Sequence, residues 1–430
     1  HQYRKHRTFL AQRALRVCHL RCFFREFPAM LGFLALRYTS EGVGHTRPIM
    51  YIAVLGMLGG FATPLALSTG QDRPYGLFAY ILMLDLGFLL LAVRRGWHRL
   101  ALLNLVATLL MEAGWASKFL SPAKMPIGVG VALVFALLFM ALPAYLRGLT
   151  EKQKREILYG AATAGLLPFG FAWVLAAHPQ YARNWPLLFG FAACLELGLL
   201  WVALRRWPVL AMLALLATAA THALWDLTSL SPPLLPVAVG AALVLSGPLW
   251  ALPGLWKKIP AGPDQALQPP PAPLRLAAAL GASAPLVLGC VLATQSEYGM
   301  RWPVLLGGMF VSVAALLWLA LRHSPVVAVT TAGLAAAEVF LWTASSLQPP
   351  LLVPLLAVAL GLASLFLGAV VLAGRFSAEK GVARPLVHGA ALAVLIPLLL
   401  CCRLAAQPTY GGRWPLVFGA LFCANAGVLW

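Results

Sequence analysis

The sequence predicts an all-α integral membrane protein that crosses the bilayer about fourteen times in parallel four-helix repeats of about 110–117 residues. Three observations carry that expectation. Residues of the set AVILMFWYC make up 61% of the 430 and charged residues only 10%, a composition foreign to water-soluble chains of this length. Apolar runs of about 20 residues, the length a helix needs to cross roughly 30 Å of hydrocarbon, recur from residue 49 onward with short polar interruptions. A tryptophan-proline signature also returns at a near-fixed interval: WPLLFGF at Trp185, WPVLLGG at Trp302 and WPLVFGA at Trp414, spaced by 117 and 112 residues.

The runs read as spans over 49–69, 76–93, 98–116, 126–146, 157–177, 185–204, 207–226, 232–255, 275–294, 302–321, 324–343, 349–373, 386–406 and 413–430. Helices are the forced choice. A helix satisfies its own backbone hydrogen bonds in lipid, and none of the runs alternates as a barrel strand does. They group into repeats over 49–147, 156–256 and 275–373, with a truncated fourth over 385–430, and the helices of each are labelled a, b, c and d in order. KKIPAGPDQALQPPPAPL, residues 257–274, is a Pro-rich linker, and GRFSAEKGVAR from Gly374 is a shorter one. The loops HPQYARNWP, TQSEYGMRWP and AQPTYGGRWP place Tyr181, Tyr298 and Tyr410, then Arg183, Arg301 and Arg413, just ahead of the tryptophan. A more divergent first copy, YGLFAYILMLDLGFLLLAVRRGW, lines up with PLLFGFAACLELGLLWVALRRW at an offset of 111. Four crossings return the chain to its starting side, so the repeats are parallel and not inverted.

The net charge of +19 follows from topology and needs no nucleic-acid partner. After residue 48 the b/c and d/a loops hold 16 Lys and Arg, among them Arg94, Arg95, Arg205, Arg206, Lys257 and Lys258, against 7 on the other side. That asymmetry places these loops in the cytoplasm, with the lipid bilayer as the one expected partner. Trp185, Trp302 and Trp414 then form an aromatic belt at the outer interface. Of the seven cysteines, Cys194, Cys290, Cys401, Cys402 and Cys423 fall in apolar runs and read as small hydrophobes, with no disulfide framework.

Residues 1–48 break the pattern. They carry nine of the 32 basic residues and four His, and they do not open with Met. The favoured reading is a fragment end or translation outside the native frame, as is the stop at Trp430 inside an apolar run. A basic cytoplasmic arm is the other reading. A metal site at Cys18, His19 and Cys22 lacks a fourth ligand and is not expected.

GGFATPLALSTG from Gly59, then LFAYILMLDLGFLLLAVRRGW, then the Gly114-Trp115 pair resemble a bacterial family of very long predicted membrane proteins, formally a domain of unknown function. In that family a helix ending in TP-x-LLSTG precedes an LFxYLLLLNLG helix and an RRGW turn. The resemblance is best over about residues 50–120. It implies many helices and a bacterial inner membrane, and it brings no assigned activity.

Polar side chains inside the spans are the only candidates for chemistry. Asp85 lies near mid-helix, aligned with Glu196, Val313 and Asn425 in the other repeats, and a carboxylate at that depth costs at least about 2.5 kcal/mol. A second layer on helix c holds Glu112, aligned with His222, with Glu338 one position away and Asp226 at the boundary; Trp115, Trp225 and Trp342 lie just outside it. Each layer reads either as interhelical hydrogen bonding, typically worth about 0.6 kcal/mol, or as a polar path from the outer face to the midplane. The sequence holds no Walker A loop, HExxH, GxSxG or suitably placed GxGxxG, so no catalytic residue, metal or cofactor is expected. A scaffold or cell-envelope protein is the first reading and a secondary transporter or channel lined by Asp85, Glu196, Glu112 and His222 the alternative. A membrane-embedded transferase ranks third, because the loops are too short for a catalytic domain. The topology is testable: a cysteine in the Arg205-Arg206 turn should resist a membrane-impermeant thiol reagent in intact cells and one beside Tyr298 should react, the reverse pattern inverting the assignment.

Overall fold

The computed structural model describes residues 46–67, 70–95, 97–145, 151–205, 207–256, 269–376, 383–411 and 413–429. All regular structure among them is helical. The long helices are α1 (Thr46–Ala66), α2 (Pro74–Arg95), α3 (His98–Phe119), α4 (Met125–Tyr145), α5 (Glu151–Ala177), α6 (Trp185–Arg205), α7 (Leu210–Ser229) and α8 (Leu235–Trp256). They continue with α9 (Ala272–Ala293), α10 (Trp302–Arg322), α11 (Val327–Ser346), α12 (Leu352–Phe376), α13 (Arg384–Ala405) and α14 (Trp414–Leu429). Internal contacts divide the chain at Ser68, so α1 belongs to one unit and α2 to α14 to the other.

Twelve helices among the described residues, α2 to α13, are long and apolar enough to cross a membrane, which makes this a multi-pass membrane protein. The expected fourteen differ at the two ends. The qualifying apolar stretch of α1 is only Ile52–Ala66. α14 has 16 residues among the described ones.

The loops hold structure that hydropathy does not register. Short 3-10 turns at Pro122–Lys124, Pro232–Leu234 and Pro349–Leu351 lead into α4, α8 and α12. One-turn helices at Pro179–Ala182, Ser296–Gly299 and Pro408–Gly411 precede α6, α10 and α14. Proline starts five of these six turns because its fixed φ suits a first helical position and it has no N–H to leave unpaired. The same logic corrects the linkers. Pro273 sits in the first turn of α9, so the helix begins at Ala272 and takes the last three residues assigned to the 257–274 linker. Gly374 to Phe376 complete α12, and Arg384 opens α13. The rest of the first linker up to 268, and residues 1–45 of the basic arm with Cys18, His19 and Cys22, lie outside the described residues.

Turn chemistry is visible at Gly70, the last residue of the STG stretch. Its φ of +74° lies in the left-handed region that a Cβ disfavours.

Packing follows a regular scheme. α4 packs on α5 and α6, α8 on α9 and α10, and α12 on α13 and α14. Trp225, Trp342, Phe169, Phe191 and Phe366 are fully buried. Yet only 33% to 61% of each spanning window is covered by protein, and large apolar side chains such as Leu110, Leu216 and Val244 point outward. In water such a surface would drive aggregation; in a bilayer it is the surface that lipid solvates.

With lipid tails as apolar as leucine, helices associate by close contact at small residues. Gly389 on α13 shows how close: a Cβ there would lie 2.9 Å from the carbonyl carbon and oxygen of Ala328 on α11. Gly307 on α10 has open space around the same position. Gly389→Ala should therefore destabilise by about 1–3 kcal/mol as the backbones are pushed apart, while Gly307→Ala should be neutral or slightly stabilising, read as melting temperatures of the purified variants in detergent.

Candidate functional site

Asp85, Glu196, Val313 and Asn425 each occupy the twelfth position of their helices, α2, α6, α10 and α14. Asp85 is fully buried against α3, where the Thr108 hydroxyl stands 2.8 and 2.9 Å from its two carboxyl oxygens and 3.0 Å from the Asn104 carbonyl oxygen. One hydroxyl proton serves one of these acceptors at a time, so Thr108 joins the α2 carboxyl to the α3 backbone. Glu196 is equally buried, and neither of its carboxyl oxygens has a hydrogen-bond partner. Val313 packs apolar at the aligned place, beside Ser312, whose hydroxyl bonds back to Gly308 of its own helix. The side chain of Asn425 lies outside the described residues.

The second layer keeps register from the other end of the helix. Glu112 and His222 sit seven residues before the last residue of α3 and α7, and Glu338 sits eight before that of α11. Their surroundings differ. His222 Nε2 donates to the Ala238 carbonyl at 2.9 Å, Nδ1 lies 2.7 Å from Asp226 Oδ2 one turn on, and Phe189 stacks on the ring at 5.4 Å. Glu338 is fully buried with both carboxyl oxygens unpartnered, packed where a Cβ on Gly289 of α9 would stand. Glu112 is half-buried, with Oε1 buried and unpartnered.

The structure brings these groups to two clefts. One, of about 560 Å³, lies between α3, α4 and α5 and is lined by Glu112, Trp115, Phe171 and Tyr181 among mostly apolar neighbours. The other, about 810 Å³ between α7, α8 and α9, is lined by His222, Asp226, Ser246, Gln295 and Tyr298 with leucines, valines and alanines. Asp85, Glu196 and Glu338 line neither cleft. The two sets of aligned polar residues thus meet different surroundings.

Around both clefts runs a set of hydrogen bonds that the sequence did not reveal. Trp115, Trp225 and Trp342 each stand four residues before the end of their helix. They are buried, and they donate to Asp72 Oδ1, the Ala182 carbonyl and the Gly299 carbonyl, each at 2.9 Å and each 43 residues upstream. Tyr181, Tyr298 and Tyr410 donate their hydroxyls to the carbonyls of Leu120, Leu230 and Leu347, the residues that directly follow α3, α7 and α11, at 3.2, 3.4 and 3.4 Å. The signal available beforehand was the tyrosine in each pre-tryptophan loop; its acceptor is a backbone carbonyl, which no residue type marks. Trp185 and Trp302, assigned to the interfacial belt, are half-buried, and the Trp414 side chain lies outside the described residues.

Asp72 differs from its counterparts in being a side chain. Partial burial pushes its carboxyl upward, but hydrogen bonds from Lys124 and Trp115 and the lysine charge outweigh that and hold it below the usual carboxylate range. A depressed folded value adds stability above the unfolded pKa of about 3.9, and the gain is lost as pH falls through the folded one. The wild type should therefore melt above Asp72→Asn at pH 7 and at pH 5, with the gap closing as the pH is taken below about 4 in a detergent melting series.

Among the described residues no three His, Cys, Asp or Glu converge to hold a metal ion. Comparison with curated proteins gives no match, and neither does comparison with solved structures. One family model matches, beginning inside the basic segment that the sequence set apart and running well past the stretch of closest resemblance. Over residues 19–183 of its 430, the chain matches the family described as predicted membrane protein (DUF2339), a domain of unknown function.

Proposed function

We propose that the chain is a scaffold of the bacterial inner membrane serving the cell envelope, built from parallel four-helix repeats set side by side, with the b/c and d/a loops in the cytoplasm. The observation that carries this reading is one joint made three times. The last helix of one proposed repeat packs on the first two of the next, in α4 on α5 and α6, α8 on α9 and α10, and α12 on α13 and α14. At each joint a tyrosine hydroxyl reaches back to the carbonyl of the leucine that follows helix c of the preceding proposed repeat. Pro168, Pro285 and Pro397 fall inside α5, α9 and α13 at the same 117- and 112-residue intervals as the tryptophans. A chain that repeats its joints and short loops has the economy of an extended array in which each module contacts its neighbours.

Asp85 fits this role as adhesive. Asp85 spends its hydrogen-bonding capacity on Thr108 of the adjacent helix, and such contacts contribute about 0.6 kcal/mol each, enough to select a packing arrangement. An amide in place of the acid keeps donor and acceptor at the same depth. A strain lacking the protein should become sensitive to detergent stress on its envelope, and a chain carrying Asp85→Asn with Glu196→Gln should restore resistance while accumulating in the membrane at normal levels. Normal accumulation without restored resistance would reject the adhesive role, because packing survives and only the titrating groups are gone.

A further inference from the structure

The two clefts carry chemistry that a scaffold does not require. Both lie in the size range of ligand sites, both are bounded by three spanning helices, and both present one buried acceptor without a partner: Glu112 Oε1 in the first and Asp226 Oδ1 in the second. The second oxygen is set free by geometry. Nε2 of His222 faces a carbonyl and so must donate to it, Nδ1 and Asp226 Oδ2 share the remaining proton at 2.7 Å, and Oδ1 is left over. A buried acceptor without a donor costs about 1–3 kcal/mol, which a ligand supplying that donor recovers. The same provision in two separate cavities makes it a property of the architecture.

We infer that each cleft holds one membrane lipid of the phosphatidylethanolamine type, its ammonium on Glu112 or Asp226 and an acyl chain along the apolar wall. The entrance points to a lipid source. The rims carry large apolar side chains exposed on spanning helices, Leu167 and Val174 at the first cleft and Leu216, Leu227, Val287 and Val291 at the second. Depth points to a head group near the interface. Glu112 lies seven residues and Asp226 three from the end of its helix, roughly 10 and 5 Å along the axis. Charge selects among lipids. Neither lining contains Lys or Arg, and His222 is already engaged on both ring nitrogens, so an anionic head would find no free cation, whereas an ammonium meets the carboxyl oxygen left without a donor. Gln180 and Tyr181 in the first cleft and Gln295 and Tyr298 in the second add polar groups at the lining.

Native mass spectrometry of the full chain, delipidated in detergent and offered lipids with identical acyl chains, tests this. Phosphatidylethanolamine should be retained at two per chain and about tenfold better than phosphatidylcholine, which has the same net charge but no N–H donor, and better than anionic phosphatidylglycerol. Glu112→Gln and Asp226→Asn should each remove one bound lipid, and the double variant both. Equal retention of phosphatidylcholine, a preference for phosphatidylglycerol, or two lipids on the double variant would overturn the assignment. Should the variants fail to fold, stepwise N-methylation of the head group on the wild-type chain decides the same point: retention falls with each N–H removed if the carboxylates bind the ammonium, and stays level if they do not.

Discussion

Every feature of this chain answers to one constraint: inside hydrocarbon no water is present to satisfy a polar group, and burying apolar surface brings no gain because lipid is as apolar as the core. Helices then form of necessity, but nothing in their hydrophobicity tells them which neighbours to choose. Choice passes to the few contacts that lipid cannot mimic. Glycine at Gly389 lets two backbones approach closely. The indoles of Trp225 and Trp342 and the hydroxyls of Tyr181, Tyr298 and Tyr410 place a donor on a defined carbonyl. The apolar majority provides solubility in the membrane, and this polar minority specifies the arrangement.

That division explains what could be read in advance. Helix existence was legible throughout, since an apolar run of some 20 residues has a single physical solution in a bilayer. The helical register of the polar groups was legible too: Asp85 and Glu196 share a helical position, and Glu112, His222 and Glu338 keep their offset. Loop structure was not. The 3-10 and one-turn helices depend on proline at a first position and on side-chain donors arriving from about 43 to 68 residues away, which hydropathy does not sense. Partners were the other blind spot. Thr108 looks unremarkable in sequence but meets Asp85, and no pattern distinguishes a carbonyl that accepts from one that does not.

Residues aligned across the proposed repeats have diverged in their surroundings more than in their positions. Glu112 lines a cleft, His222 is engaged on both ring nitrogens, and Glu338 is sealed against Gly289. The indole acceptor is a carboxylate at Asp72 and a main-chain carbonyl at Ala182 and Gly299. At the position aligned with Asp85 and Glu196, Val313 is buried as an apolar side chain.

The direction of the tyrosine bonds has a consequence for how the protein is made. In all three the acceptor leucine precedes the donor in the chain, Leu120 before Tyr181, Leu230 before Tyr298 and Leu347 before Tyr410. A ribosome delivering helices to the membrane in order therefore always completes the receiving surface before the group that docks on it emerges. At these joints assembly can advance as a ratchet from the amino-terminal side, each newly inserted tyrosine finding its target already in place.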